Sequence, residues 1–260
     1  MVYIDIAGIK TKLNFTNSDL LGKNFDDFIS EELDYLSNIK LKVYNAENSC
    51  SFANGIHPKN KKILIKRKGN RGYFDIDTME GELESSSEVF FELYLRILYS
   101  LVLPINDGLA IHASSLVKKG KAYIFPGKSG SGKTTIVQSS PDTILLTDEI
   151  SIIRIIQNKI IAYGTPFHGD QVGVGKNINA TLEGLYFPIK DKRNYLKELT
   201  KKTALRKILT NVVSYGKNQS LVQKIFSLSY EIVSSLPCYD LHFLPDSSFW
   251  SCIEERERNS

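Results

Sequence analysis

Residues Gly127-Lys128-Ser129-Gly130-Ser131-Gly132-Lys133-Thr134 complete the pattern GxxxxGK[ST], and Thr135 follows. A triphosphate is a dense anion, and a loop that binds one must wrap it with backbone N–H groups. Glycine permits the positive φ angles and the close backbone approach that such wrapping requires. The helix expected after the loop points its positive end at the phosphates. In this P-loop reading Gly127 to Thr135 bind nucleotide, Lys133 reaches the β- and γ-phosphates, and the Thr134 hydroxyl ligates Mg²⁺. Asp148-Glu149 directly follows the apolar run Thr143–Thr147. Two carboxylates at the C-terminal end of a strand beside such a loop can hold Mg²⁺ and its waters; the competing reading is a solvated acidic pair.

Two more segments carry polar groups that could join them. His112 lies in Gly108–Val117 (GLAIHASSLV), where strand alternation puts it on the same face as Ser114. Taken alone, a single histidine on a strand is more often a hydrogen-bonded structural residue. Tyr163–Asp170 (YGTPFHGD) has the Gly and Pro of a loop and could deliver His168 and Asp170, or could be a plain surface loop.

These residues need elements to hold them. The pattern predicts strands over Leu109–Val117 and Lys121–Phe125 joined by a turn at residues 118–121, then the glycine loop and a helix over Lys133–Ser139. Thr143–Thr147 reads as a short strand, and Ser151–Ile156 with Lys159–Tyr163 as a hairpin around Asn158. Helical spacing is present over Tyr195–Val213 and again over Ser220–Ser229; Cys238–Leu244 reads as a strand, and Asp246 as the cap of a helix through Arg258. Upstream, residues 2–14 suggest a hairpin, Asp19–Leu36 a short helix with loop, and Leu41–Tyr44, Lys62–Lys66 and Gly72–Ile76 strands, with a turn at Gly69-Asn70. A helix over Glu88–Leu103 has Ser85–Ser87 as its cap and Pro104 as its stop.

Composition narrows the classes. A chain of 260 residues with 42% apolar and 24% charged residues is that of a globular protein of one large domain, or a core domain plus a smaller one. The net charge of +4 suits an anionic ligand such as ATP and is too small and scattered to argue for nucleic acid. Cys50, Cys238 and Cys252 are odd in number and lack zinc-ligand spacing, so reduced thiols in the cytoplasm are expected. The start has no charged head followed by an apolar core, so no secretory signal is expected. The most apolar stretch, Phe90–Leu103, contains Glu92 and Arg96 and is too short for a membrane span, so no membrane partner is expected.

The runs at 108–117, 125–135 (FPGKSGSGKTT), 145–153 (LLTDEISII) and 163–170 resemble the catalytic domain of HPr kinase/phosphorylase. They are closer still to the broader HPr-kinase-like group, whose P-loop fold is akin to phosphoenolpyruvate carboxykinase. Residues 236–250 (LPCYDLHFLPDSSFW) also resemble the closing strand and helix of that group. The resemblance implies an α/β fold in which a mixed twisted sheet carries the P-loop, over residues 83–260, behind a small strand-rich N-terminal region, 1–82, unlike that of HPr kinase proper. It implies that Asp148 is the general base, that His112 belongs to the active site with Lys133, and that Thr134 and Glu149 serve the metal. Asp170 is the candidate to replace the family's downstream metal-binding glutamate, and Arg193 and Arg206 are candidates for its later catalytic arginine. Members of the family often form homo-oligomers.

The expected activity is therefore transfer of the γ-phosphate of ATP, with Mg²⁺, to a hydroxyl of a peptide, protein or small molecule. A nucleotide-binding regulatory module without transfer, and a carboxykinase acting on oxaloacetate, are the alternatives.

Overall fold

The computed structural model describes residues 1–16, 20–31, 38–45, 55–59, 62–67, 70–169, 173–216 and 218–258. Asp19, Leu36, Cys50, Gly69 and Asp170 lie outside the described residues, and with them parts of the expectations drawn on those segments. The chain is mixed α/β with two mixed sheets. It divides into two compact units, Met1–Ile105 with Ser214–Val222, and Asn106–Val213 with Gln223–Ser260.

In the first unit β1 (Val2–Ile6) and β2 (Ile9–Phe15) form the expected hairpin. A 3-10 helix over Lys23–Phe28 buries Phe25 and Phe28 and leads into β3 (Ile29–Ser30). Then come β4 (Ile39–Asn45), β5 (Gly55–Lys59), β6 (Lys62–Arg67), β7 (Asn70–Asp75) and β8 (Glu80–Ser85). The sheet order is β3-β1-β2-β4-β8-β7-β6-β5, with β4 parallel to both its neighbours. Period-two burial turns Gly72, Phe74, Gly81 and Leu83 to one face, where α1 (Glu88–Ile105) packs. The two glycines make room for the Tyr94 ring: a Cβ on Gly72 would lie 2.6 Å from that ring, and one on Gly81 2.7 Å from its hydroxyl. Tyr94 in turn donates to the carbonyl of Tyr73 at 2.6 Å.

Ser87 caps α1 by accepting the N–H of Phe90 at 3.2 Å. Pro104 sits inside the last turn of α1 rather than beyond it. Within the apolar stretch, Arg96 Nε donates to Glu92 Oε1 at 2.9 Å, so its two charges satisfy each other one turn apart. α1 packs on β7 and β8 and belongs to the same compact unit, which runs from Met1 to Ile105 and adds Ser214–Val222. No helix among the described residues is long and apolar enough to cross a membrane.

The second unit contains β9 (Gly108–Lys118), β10 (Lys121–Pro126), α2 (Lys133–Gln138), β11 (Ile144–Thr147), β12 (Ile150–Ile156) and β13 (Lys159–Tyr163). It continues with β14 (Asn179–Lys190), β15 (Tyr195–Glu198), α3 (Lys201–Leu209), the part of α4 (Gln219–Ser235) from Gln223 onward, β16 (Cys238–Phe243) and α5 (Phe249–Arg258). The order is β10-β9-β12-β13-β14-β16-β15, β11 pairs with β9, and β10 pairs a second time with β14. Five strands therefore close on themselves: β10, β9, β12, β13, β14 and back to β10. β10, β14 and β16 run parallel, so their C-terminal ends lie along one edge. On one face, α2 and α5 bury Ile136, Phe249 and Trp250 against Phe125, Tyr186 and Phe243, and Trp250 Nε1 donates to Ser140 Oγ at 2.8 Å.

Three elements differ from the sequence reading. Tyr195–Val213 is not one helix: Tyr195–Glu198 extends the sheet as β15 beside β16, and Thr200 starts α3 by accepting the N–H of Thr203 at 3.3 Å. The helix-like spacing of Leu196 and Leu199 is overridden by sheet pairing, in which Leu196 lies opposite Leu241. β14, the longest strand, falls where the sequence reading assigns no element; Pro188 disguises it, yet lies opposite Leu241 in the parallel ladder. The last helix begins at Phe249, and Asp246 Oδ1 instead accepts the N–H of Ser248 at 2.9 Å in the turn before it.

Candidate functional site

The glycine loop leaves the end of β10 and is tied to β9 at once, because Gly127 N–H donates to the carbonyl of His112 at 3.1 Å. Lys128, Ser129 and Gly130 form its exposed rim, and Ser131 N–H closes the turn on the carbonyl of Lys128 at 3.1 Å. Gly130 and Gly132 have φ of 82° and 107°, a region that side chains with a Cβ avoid. Gly132 is needed twice over: a Cβ there would also lie 2.6 Å from the Phe243 ring and 3.7 Å from Lys190 Cε. Thr134 and Thr135 stand half-buried on the first turn of α2.

Lys133 is 7% exposed, and its ammonium is turned onto the loop itself. Nζ donates to the carbonyls of Gly127 at 2.8 Å and Lys128 at 3.4 Å and lies 3.1 Å from His112 Nε2. Burial pushes the Lys133 ammonium below the ordinary lysine range, while Glu149 and then Asp148 pull it back up. Glu149 Oε1 lies 3.3 Å from His112 Nε2, so lysine, imidazole and carboxylate stand in one row. His112 itself is fixed by its own N–H, which donates to the carbonyl of Asn211 at 2.7 Å.

Asp148 and Glu149 occupy the link between β11 and β12. β11 is held on both edges: β9 pairs with one, and on the other Thr165 and Lys176 donate to the carbonyls of Leu146 and Leu145 at 3.1 and 2.9 Å. Thr147 Oγ1 donates to the carbonyl of Phe167 at 2.9 Å, which brings the loop after β13 back over the acids. There Gly169 N–H donates to Asp148 Oδ1 at 2.8 Å. A Cβ on Gly169 would stand 3.3 Å from Asp148 Oδ2 and 3.7 Å from Glu149 Oε2. Asp148 is 5% exposed, so its carboxylate is sheltered rather than solvated as an ordinary surface acid would be.

Lys133, His112, Asp148 and Glu149 thus converge from α2, β9 and the β11–β12 link. Ser114 does not join them: it is fully buried, with no hydrogen-bond partner for its hydroxyl among the described residues. His168 turns its Nδ1 to the carbonyl of Gly169 at 2.7 Å. Arg193 and Arg206 are exposed. Sequence reasoning missed the parts played by the Gly169 amide and the Asn211 carbonyl, which are main-chain groups and leave no residue-type signal. It also missed Lys190, which lies in the stretch left without an element.

No protein-family model matches the chain, and no curated protein sequence matches it. Among the described residues, no group of three or more His, Cys, Asp or Glu side chains is gathered as a metal cage.

Proposed function

We propose that this chain is a P-loop kinase of the HPr-kinase-like type, transferring the γ-phosphate of ATP to a hydroxyl of a peptide, protein or small molecule. The observation that carries the proposal is the row of Lys133, His112 and Glu149 at the glycine loop, with Asp148 beside it under the Gly169 amide. Phosphoryl transfer asks little covalent chemistry of a protein; it asks for charge neutralisation and alignment. Loop amides and the Lys133 ammonium supply the first, in a low-dielectric setting where a charge acts strongly. His112 keeps that ammonium beside the loop until phosphate oxygens replace the carbonyls of Gly127 and Lys128 as its partners.

Asp148 supplies the alignment. With Oδ1 engaged by Gly169, Oδ2 faces the acceptor, takes the proton of its O–H, and leaves that oxygen to attack the γ-phosphorus as the bond to ADP breaks. The donor set suits Mg²⁺, which favours hard oxygens and is commonly held by one or two carboxylates together with substrate phosphates. The Thr134 hydroxyl and Glu149 carboxylate would hold it, and it would neutralise charge on the β- and γ-phosphates.

Incubation of the chain with ATP labelled at the γ-phosphorus, Mg²⁺ and a pool of serine-containing peptides tests the proposal. Label on a peptide hydroxyl is the expected result. ATP binding without transfer to any acceptor would favour a regulatory module instead.

A further inference from the structure

Lys190 is a cation at the glycine loop to which the chemistry above gives no part. It is the last residue of β14, the strand that pairs in parallel with β10. Ligands of α/β sheets gather outside the carboxyl ends of such strands. Pro188 and Lys190, two apart and so on one face of β14, both meet the loop. A Cβ on Gly127 would stand 3.8 Å from Pro188 Cδ, and one on Gly132 3.7 Å from Lys190 Cε. Lys190 therefore lays its stem against Gly132, where the buried Phe243 ring also stands. The residue is nevertheless exposed, so the stem is packed while the ammonium, one bond beyond Cε, reaches solvent beside the loop.

That ammonium has no carboxylate partner among the described residues. Asp191, the acid next to it, is engaged by His242 Nδ1 at 2.7 Å. Lys133 differs on each point: it is buried, and it is already held by two loop carbonyls and His112. The two lysines also stand on opposite sides of β10. His112, which meets Lys133, belongs to β9, and the strands that carry Asp148 and Glu149 between them, β11 and β12, both pair with β9. Lys190 belongs to β14, on the other flank of β10.

We propose that Lys190 is a second phosphate-binding cation of the loop. It serves the phosphates farther from Asp148, the two that stay with the nucleoside diphosphate after transfer. The proposal rests on the nucleotide-loop reading given above and adds a grip on the part of the ligand that does not react.

Binding of a non-hydrolysable ATP analogue, ADP and inorganic tripolyphosphate to the full chain in Mg²⁺ tests it. Loss of one charge-assisted hydrogen bond predicts that Lys190→Gln weakens all three roughly tenfold, while Lys190→Arg keeps most of the affinity. Lys192→Gln removes the same charge two residues on and should leave all three unchanged. Unchanged binding in Lys190→Gln overturns the proposal. So does an equal loss in Lys192→Gln, which would reduce the effect to net charge, and so does a loss confined to the ATP analogue, which would put the ammonium at the γ-phosphate. Mass-spectrometric measurement of Lys190 acetylation in the wild-type chain supplies a readout that needs no variant: tripolyphosphate should protect the amine severalfold, and equal labelling with and without saturating tripolyphosphate would overturn the proposal. A wild-type chain that binds none of the three ligands removes the loop reading as well.

Discussion

The backbone N–H of Gly169 donates to Asp148 Oδ1 at 2.8 Å, so the carboxylate at the centre of the site is steered by main chain from a different loop. Main-chain steering fixes direction without adding a competing charge, and it engages only one of the two carboxylate oxygens.

Asp148→Asn tests the base assignment most directly. Asparagine keeps the size of the side chain and its carbonyl can still accept from Gly169, but it cannot take a proton. Transfer is expected to fall by about 10²-fold or more, with the affinity for an ATP analogue preserved. Single-turnover label transfer beside calorimetric binding checks this, and normal turnover would remove Asp148 from the role.

Gly169→Val tests the steering. Its Cβ would stand 3.3 Å from Asp148 Oδ2, and the added methyls force the carboxylate or the loop to move. Small misplacement at a reacting group is costly, so kcat is expected to drop ~10-fold or more while nucleotide affinity stays near wild type.

Gly132→Ala and Gly120→Ala separate strain from collision. Both glycines have positive φ, at 107° and 77°, but a Cβ on Gly120 meets nothing within 4 Å, whereas one on Gly132 meets Phe243. Gly120→Ala should cost about 1–2 kcal/mol of stability through the backbone alone. Gly132→Ala should cost more and also abolish nucleotide binding, as thermal unfolding with and without ATP analogue would reveal.

Lys133 gives the stability curve a sign. Burial lowers its pKa in the folded chain below the unfolded value, so between the two the unfolded state binds more protons and stability rises with pH. The cost of burying the ammonium is fully present below both values and is relieved as pH climbs toward the ordinary lysine range. Lys133→Met should flatten that rise in urea titrations from neutral to alkaline pH while losing most affinity for ATP. A parallel pH slope in the variant would show that the lysine is not the group responsible.

The parts of the site that can be read from sequence are those written locally. The glycine loop follows a strand and opens a helix, and Asp148-Glu149 ends an apolar run, so spacing alone predicts β10, α2 and β11 close to where they lie. Gly169 is 21 residues from the acid it serves, and its contribution is an amide that every residue but proline carries. β15 is hidden because Leu196 and Leu199 fit a helix as well as they fit a sheet edge. Phe243 and Lys190 reach Gly132 of the loop only through parallel pairing of β14 with β16, a long-range event without a local code.

The circuit of β10, β9, β12, β13 and β14 has a mechanical corollary. An open sheet frays inward from its outer strand, but a ring has no outer strand to begin from, and each member is hydrogen-bonded on both sides. The segment that launches residues 127–134 is therefore expected to be among the last to exchange its amide hydrogens with solvent, so that the glycine loop starts from an immobile footing and any movement is confined to it and the loops beside it.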